Sequence, residues 1–228
     1  MYSLVLLNGG VGARVAAGQP KQFVKVNGIP ILVYSLVAAD AVEEITQIVL
    51  NYPAGFREEV EEIVKAYAIA TPVTYVQAGA TRHESVAAGV EACTNEHVVI
   101  HEAARPLVTT ADFRTLIASE HENVGLMLEI PFTVAPVDPA SQRVTGSLER
   151  DRLRNVQLPQ KFSRADLLGA HEYAKKEGVI FTEDATLLAV AGYDVYFVPG
   201  SDRNLKVTTP TDVRLASFLL QGDEAFDE

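Results

Sequence analysis

Two glycines, an arginine and a lysine near the start of the chain have the types and spacing for binding a string of phosphates. An apolar run from Tyr2 to Leu7 leads into Asn8-Gly9-Gly10-Val11-Gly12-Ala13-Arg14, followed by Gln19-Pro20-Lys21-Gln22-Phe23. Glycines let the backbone approach an anion closely and turn its N–H groups towards it. Arg14 and Lys21 supply the charge that N–H groups alone cannot. Pro20 fixes the backbone beside Lys21. A plain strand-to-helix turn needs neither cation nor proline.

Two familiar phosphate loops do not fit. The dinucleotide fingerprint needs a third glycine where Val15 stands and an acidic residue about 20 positions further on. The next strand-like run instead ends in Asn51-Tyr52. The Walker loop needs Gly-Lys-Ser/Thr, which is absent here. A nicotinamide-dependent oxidoreductase is therefore the weaker reading.

Three further segments carry polar groups in similar contexts. In Ala78-Gly79-Ala80-Thr81-Arg82-His83-Glu84-Ser85, a glycine turn opens a helix. Gly79 and Ser85 there can contact a base, Arg82 reads as the partner of a carboxylate, and His83 reads as a solvated residue of the helix start. In His101-Glu102-Ala103-Ala104-Arg105-Pro106, a buried strand delivers Glu102 and Arg105 to its carboxyl end. A carboxylate in that place can hold Mg²⁺ against phosphate oxygens, and Arg105 can reach a phosphate in fork geometry. The competing reading is an internal Glu–Arg pair with His101 tucked beneath. Lys206, in Asn204-Leu205-Lys206-Val207-Thr208, either points into the same cleft or reaches from an edge strand to solvent.

The elements that must position these groups alternate. Residues 45–50, 73–76, 97–101, 124–130 and 195–198 read as buried strands. Val60, Ile63, Val64 and Tyr67 recur at helical spacing. Thr110 is expected to cap a helix carrying Phe113 and Leu116, Thr209-Pro210 to open a last helix, and residues 181–186 to form a helix start with a structural role. Alternating β and α predicts an α/β fold: a mostly parallel sheet with helices on both faces. Ligands in such sheets sit beyond the carboxyl ends of the strands. Residues 131–157, with three prolines and crowded charges, break the rhythm and read as a protruding β-arm or a surface loop. One domain over residues 1–221 and a disordered acidic tail over 222–228 complete the expected organisation.

Composition narrows the function. The 228 residues carry a net charge of −11, which disfavours nucleic acid as a partner. The single cysteine, Cys93, rules out an internal disulfide and suits a reducing cytoplasm. No apolar run approaches the ~20 residues of a membrane span. No Ser/His/Asp set or zinc spacing is present.

Taken in order, Gly10-Val11-Gly12-Ala13-Arg14, Pro20-Lys21-Gln22-Phe23, Arg82-His83-Glu84-Ser85-Val86, His101-Glu102-Ala103-Ala104-Arg105-Pro106, Pro159-Gln160-Lys161-Phe162 and Asn204-Leu205-Lys206-Val207-Thr208 resemble the polyol-phosphate cytidylyltransferases. These are the methylerythritol-phosphate and ribitol-phosphate enzymes. The resemblance spans nearly the whole chain. It implies a three-layer Rossmann-like nucleotidyltransferase fold acting on CTP, Mg²⁺ and a polyol phosphate, with release of pyrophosphate. By position it implies that Arg14, Lys21 and Lys206 are catalytic. Asn8, Gly9, Gly10, Gly12, Gly79 and Ser85 would line the nucleotide, and Arg105 and Arg150 the acceptor phosphate. Glu102 would hold the metal, and the chain would dimerise through the arm, with Arg150 donated across the interface. The resemblance departs at Glu102, where Asp is usual, at Val134-Ala135, where Asp-Thr is usual, and at Leu158, where Thr is usual. These leave three readings open: the isoprenoid-pathway acceptor, another phospho-alcohol of cell-surface polymers, or a nucleotide-binding module without catalysis.

Overall fold

A computed structural model describes residues 1–10 and 23–222 of the chain. Gly12, Arg14, Lys21 and the tail beyond Gly222 lie outside the described residues.

The elements follow the expected alternation. β1 (Tyr2–Leu7) is followed by a short antiparallel pair, β2 (Lys25–Val26) and β3 (Ile29–Pro30), and by α1 (Ile31–Asp40). Then come β4 (Ile45–Tyr52), α2 (Arg57–Ala66), β5 (Val73–Gln77), α3 (Arg82–Glu91), β6 (His97–Glu102), α4 (Thr110–Ile117) and β7 (Val124–Glu129). A small hairpin, β8 (Val137–Asp138) and β9 (Arg143–Val144), leads to β10 (Arg154–Ser163), α5 (Arg164–Glu177), α6 (Asp184–Val190), β11 (Tyr196–Pro199) and α7 (Pro210–Gly222).

Among the described residues the main sheet has the order β11-β7-β10-β6-β1-β4-β5. Every neighbouring pair is parallel except those made by β10, which is antiparallel to both β6 and β7. The chain runs outward from β1 through β4 to β5, then returns to place β6 on the other side of β1. The strand order therefore reverses between β1 and β6, the place where open α/β sheets bind ligands. Leu7 pairs with Glu102, so the first loop and the end of β6 emerge side by side.

The period-two alternation of β1 divides the core. Leu4 and Leu6 pack with Leu32, Leu36, Val60, Phe113 and Leu116, from α1, α2 and α4. Val5 and Leu7 face the other way, towards Val86, Val90, Leu167, Leu187 and Leu188, from α3, α5 and α6. Burying both faces makes the three layers. α7 closes one end, with Ala216 and Val207 packed on Val26, Ile31 and Leu107.

Three local readings are corrected. The cap of α4 is Thr109, not Thr110: its hydroxyl accepts from the Asp112 N–H in a capping box. α1 was not anticipated, because Ile31, Leu32, Val33, Ser35, Leu36 and Ala39 are all buried and leave no polar face to reveal the helical period. β10 was not anticipated as a strand either. It starts at Arg154, inside the segment assigned to the arm, and carries Pro159 and two glutamines that mask its period. What protrudes is the β8–β9 hairpin with its flanks, where Phe132, Val137, Val144 and Leu148 are all exposed.

Candidate functional site

Three strand ends build the cleft. β1 is followed by Asn8-Gly9-Gly10. β5 is followed by Ala78-Gly79, with the Ala78 N–H donating to the Tyr52 carbonyl at 2.9 Å. β6 ends in Glu102, and the next residue, Ala103, donates to the Leu7 carbonyl at 3.0 Å. Together with the start of α3 and with Lys206, these segments line a cleft of about 250 Å³.

Glycine is required here by close approach. A Cβ on Gly9 would lie 2.2 Å from the Ala78 Cβ, and one on Gly79 would lie 2.5 Å from the Glu84 Cβ. The Gly9 backbone therefore packs directly on the Ala78 methyl, and the Gly79 backbone on the side chain of Glu84. Gly9→Ala is expected to cost about 1–3 kcal/mol by overpacking, with Ala78→Gly restoring most of it. Denaturant unfolding checks this; an unshifted Gly9→Ala midpoint would contradict the packing.

The start of α3 is fixed by its own chemistry. Thr81 and Glu84 form a capping box. The Ser85 hydroxyl accepts from the Gly79 N–H at 3.1 Å and donates to the Thr81 carbonyl at 2.8 Å. Ser85 thus holds the turn at the cleft wall.

An ion network fills the floor. Arg82 donates to both oxygens of Asp184, at 3.1 and 2.7 Å, and through Nε to Glu102 Oε1 at 3.3 Å. Lys206 Nζ lies 2.8 Å from Glu102 Oε2, and Arg105 Nε lies 3.6 Å from the same oxygen. Burial alone would raise the Glu102 carboxyl. The charges of Lys206, Arg82 and Arg105 outweigh it and pull the pKa down to about 2. Counting Asp184, three cations face two anions, so the cluster is net positive and suited to an anion.

Lys206 is held in place by the backbone on either side of it. The Val207 N–H donates to the Ala104 carbonyl at 2.8 Å. The Arg105 guanidinium donates to the Asn204 carbonyl at 2.8 Å, and the Asn204 amide donates to the Leu158 carbonyl at 2.6 Å. Gln157 accepts from the Ser201 N–H and donates to its carbonyl.

The structure brings Asn8, Gly9, Gly10, Gly79, Ser85, Glu102 and Lys206 to one cleft. Arg105 lies beneath it, engaged with Glu102 and Asn204. Arg150 stands apart on a short 3₁₀ turn beside the hairpin, half exposed and 3.8 Å from Asp151. Gly12, Arg14 and Lys21 fall outside the described residues. His101 is fully buried, set edge-on against Phe113, and burial pushes its pKa down to about 3. His83 differs from expectation: its Nε2 is 3.2 Å from Nδ1 of His171, and the two ring centroids lie 4.3 Å apart with their planes tilted by 52°. The residue that sequence reasoning missed is Asp184. It stands 102 positions from its partner Arg82, and only the packing of α5 against both α3 and α6 brings the starts of those helices together.

A divalent cation held by protein groups does not fit this floor. Among the described residues no three His, Cys, Asp or Glu side chains gather in a way that could hold a metal. Glu102 offers one carboxylate already surrounded by three cations. A divalent ion about 5 Å from Arg82 or Arg105 would meet roughly 7 kcal/mol of repulsion from each at an effective dielectric near 20.

Residues 2–222 match the family model described as IspD: 2-C-methyl-D-erythritol 4-phosphate cytidylyltransferase. A protein of that name from Bacillus cytotoxicus is 34% identical over 221 residues, covering 96% of this chain and 98% of its own. One from a Synechococcus species is 37% identical over 226 residues, covering 96% of each. The crystal structure of 4-diphosphocytidyl-2C-methyl-D-erythritol synthase from Anaerococcus prevotii matches with a TM-score of 0.85 at 25% identity, covering 97% of this chain and 96% of that one.

Proposed function

Because the chain belongs to the 2-C-methyl-D-erythritol 4-phosphate cytidylyltransferase (IspD) family, we propose that it transfers CMP from CTP to 2-C-methyl-D-erythritol 4-phosphate and releases pyrophosphate. An oxygen of the acceptor phosphate attacks the α-phosphorus of CTP, and the bond to the β-phosphate oxygen breaks. The observation that carries this reading is the net positive cluster of Arg82, Arg105 and Lys206, set beneath glycine loops where the strand order reverses.

The physical problem is to bring two anions together. Transfer of this kind depends mainly on positioning and on stabilising charge. The backbone of Asn8, Gly9 and Gly10 would line the nucleotide, with Gly79 and the Ser85-braced turn beside the base. Lys206, together with Arg14 and Lys21 of the first loop, would take up charge on the bridging and leaving oxygens. A divalent cation would supply charge screening as part of the nucleotide substrate rather than be held by Glu102, whose carboxylate already faces three cations.

The exposed apolar residues of the hairpin support a homodimer formed through the arm at 131–157, with Arg150 offered to the partner's acceptor site. The described residues within 1–221 then form one catalytic domain with that arm. Phe132→Asp is expected to shift the protein from dimer to monomer in light scattering and to lower turnover. A variant that stayed dimeric and fully active would exclude this interface. No described helix is long and apolar enough to cross a membrane. The free, buried Cys93 fits a reducing compartment, so we assign the reaction to the cytoplasm.

A pyrophosphate-release assay crossing the four nucleoside triphosphates with methylerythritol 4-phosphate, ribitol 5-phosphate and related acceptors tests the reading. Turnover is expected with CTP and methylerythritol 4-phosphate. Turnover only with ribitol 5-phosphate would change the acceptor. CTP binding without any pyrophosphate would leave a nucleotide-binding module.

A further inference from the structure

We propose that Glu102 is a positioning residue: its carboxylate holds Arg82, Arg105 and Lys206 together, and it gives up Lys206 to substrate phosphate rather than binding a metal ion. The contacts are specific. Oε1 faces Arg82 Nε at 3.3 Å, while Oε2 faces Lys206 Nζ at 2.8 Å and Arg105 Nε at 3.6 Å. The carboxylate is buried, and it sits where β6 ends, level with Leu7 and the first loop.

The three cations differ in their freedom to leave. Arg82 is clamped by two hydrogen bonds to Asp184, which is 1% exposed. Arg105 is tied to the Asn204 carbonyl at 2.8 Å. Lys206 has no such second anchor on its ammonium among the described contacts, and its side chain is 38% exposed to the cleft. A lysine carries a compact charge on a flexible stem, whereas an arginine fork is preorganised. An arriving phosphate therefore competes with Glu102 for Lys206 and leaves both arginines in place. Without the carboxylate, three like charges would repel one another and the lysine would swing outward. Glu102 thus keeps Lys206 within a short reach of the site before the nucleotide arrives.

The proposal rests on the nucleotidyl-transfer reading only in its CTP arm, so three measurements keep the two apart. Mn²⁺ alone, followed by electron paramagnetic resonance on the wild-type protein, is expected to show no tight site. The reactivity of Lys206 towards a limiting amine-acylating reagent, read by mass spectrometry, is expected to rise at least several-fold in Glu102→Gln, with other lysines unchanged. CTP affinity without metal is expected to tighten several-fold in the same variant, because no carboxylate competes. A tight Mn²⁺ site lost in Glu102→Gln would overturn the proposal, as would unchanged Lys206 labelling in a folded variant. If Glu102→Gln does not fold, the Mn²⁺ result and the protection of wild-type Lys206 from the reagent by CTP decide it: a tight Mn²⁺ site, or no protection, overturns it. CTP binding to neither form would count against the function while the Mn²⁺ and labelling arms still judge Glu102.

Discussion

Lys206→Ala should lower turnover by roughly 10²- to 10³-fold, the cost of removing one group that stabilises developing charge. The ammonium lies on the cleft floor, 2.8 Å from Glu102, and belongs to the net positive cluster. A bound triphosphate would meet it at the bridging and leaving oxygens, where negative charge grows as the α–β bond breaks. Most of the loss should appear in kcat, because the interaction strengthens in the transition state. Folding should survive, since the backbone around position 206 is held by the Val207 bond to Ala104 and the Arg105 bond to Asn204. Steady-state kinetics with a parallel melting curve checks both parts. Wild-type turnover in a folded variant would remove Lys206 from the reaction.

Arg82→Met should act through stability. It strips Asp184, 1% exposed, of a bidentate partner and leaves a buried, uncompensated carboxylate. Breaking such a pair from one side costs about 3–5 kcal/mol, whereas replacing both partners by apolar groups is often near neutral. Arg82→Met combined with Asp184→Leu should therefore recover most of the loss seen in Arg82→Met alone. A double-mutant cycle in denaturant measures the coupling. A single variant within about 0.5 kcal/mol of wild type would show that the pair contributes little.

The strands and the layer order were legible because buried parallel strands are continuous β-branched runs, and residues 45–50 and 97–101 could hardly be anything else. The cleft was legible in outline because glycines at strand ends and Glu102 at the end of β6 have few structural reasons to be there. What escaped the sequence depends on contacts between distant segments. Asp184 looks like an ordinary acidic helix start until α5, packed on both α3 and α6, brings it to Arg82. Arg105 and Lys206 look alike as cations, yet one is tied beneath the floor and the other stands in the cleft. His83 reads as solvated until α5 brings His171 against it. The order of β10 between β6 and β7 could not be read either, because an antiparallel strand inserted among parallel ones leaves no trace in its own residues.

The central claim is that the cleft between β1 and β6 is a cradle for the triphosphate of CTP. A crystal structure of the protein with CTP and Mg²⁺ tests it most directly. The account predicts the phosphates against the Gly9–Gly10 backbone, Lys206 moved from Glu102 onto phosphate oxygen, and Arg14 and Lys21 in contact with the phosphates. CTP bound elsewhere on the protein, with Lys206 still paired to Glu102, would contradict it.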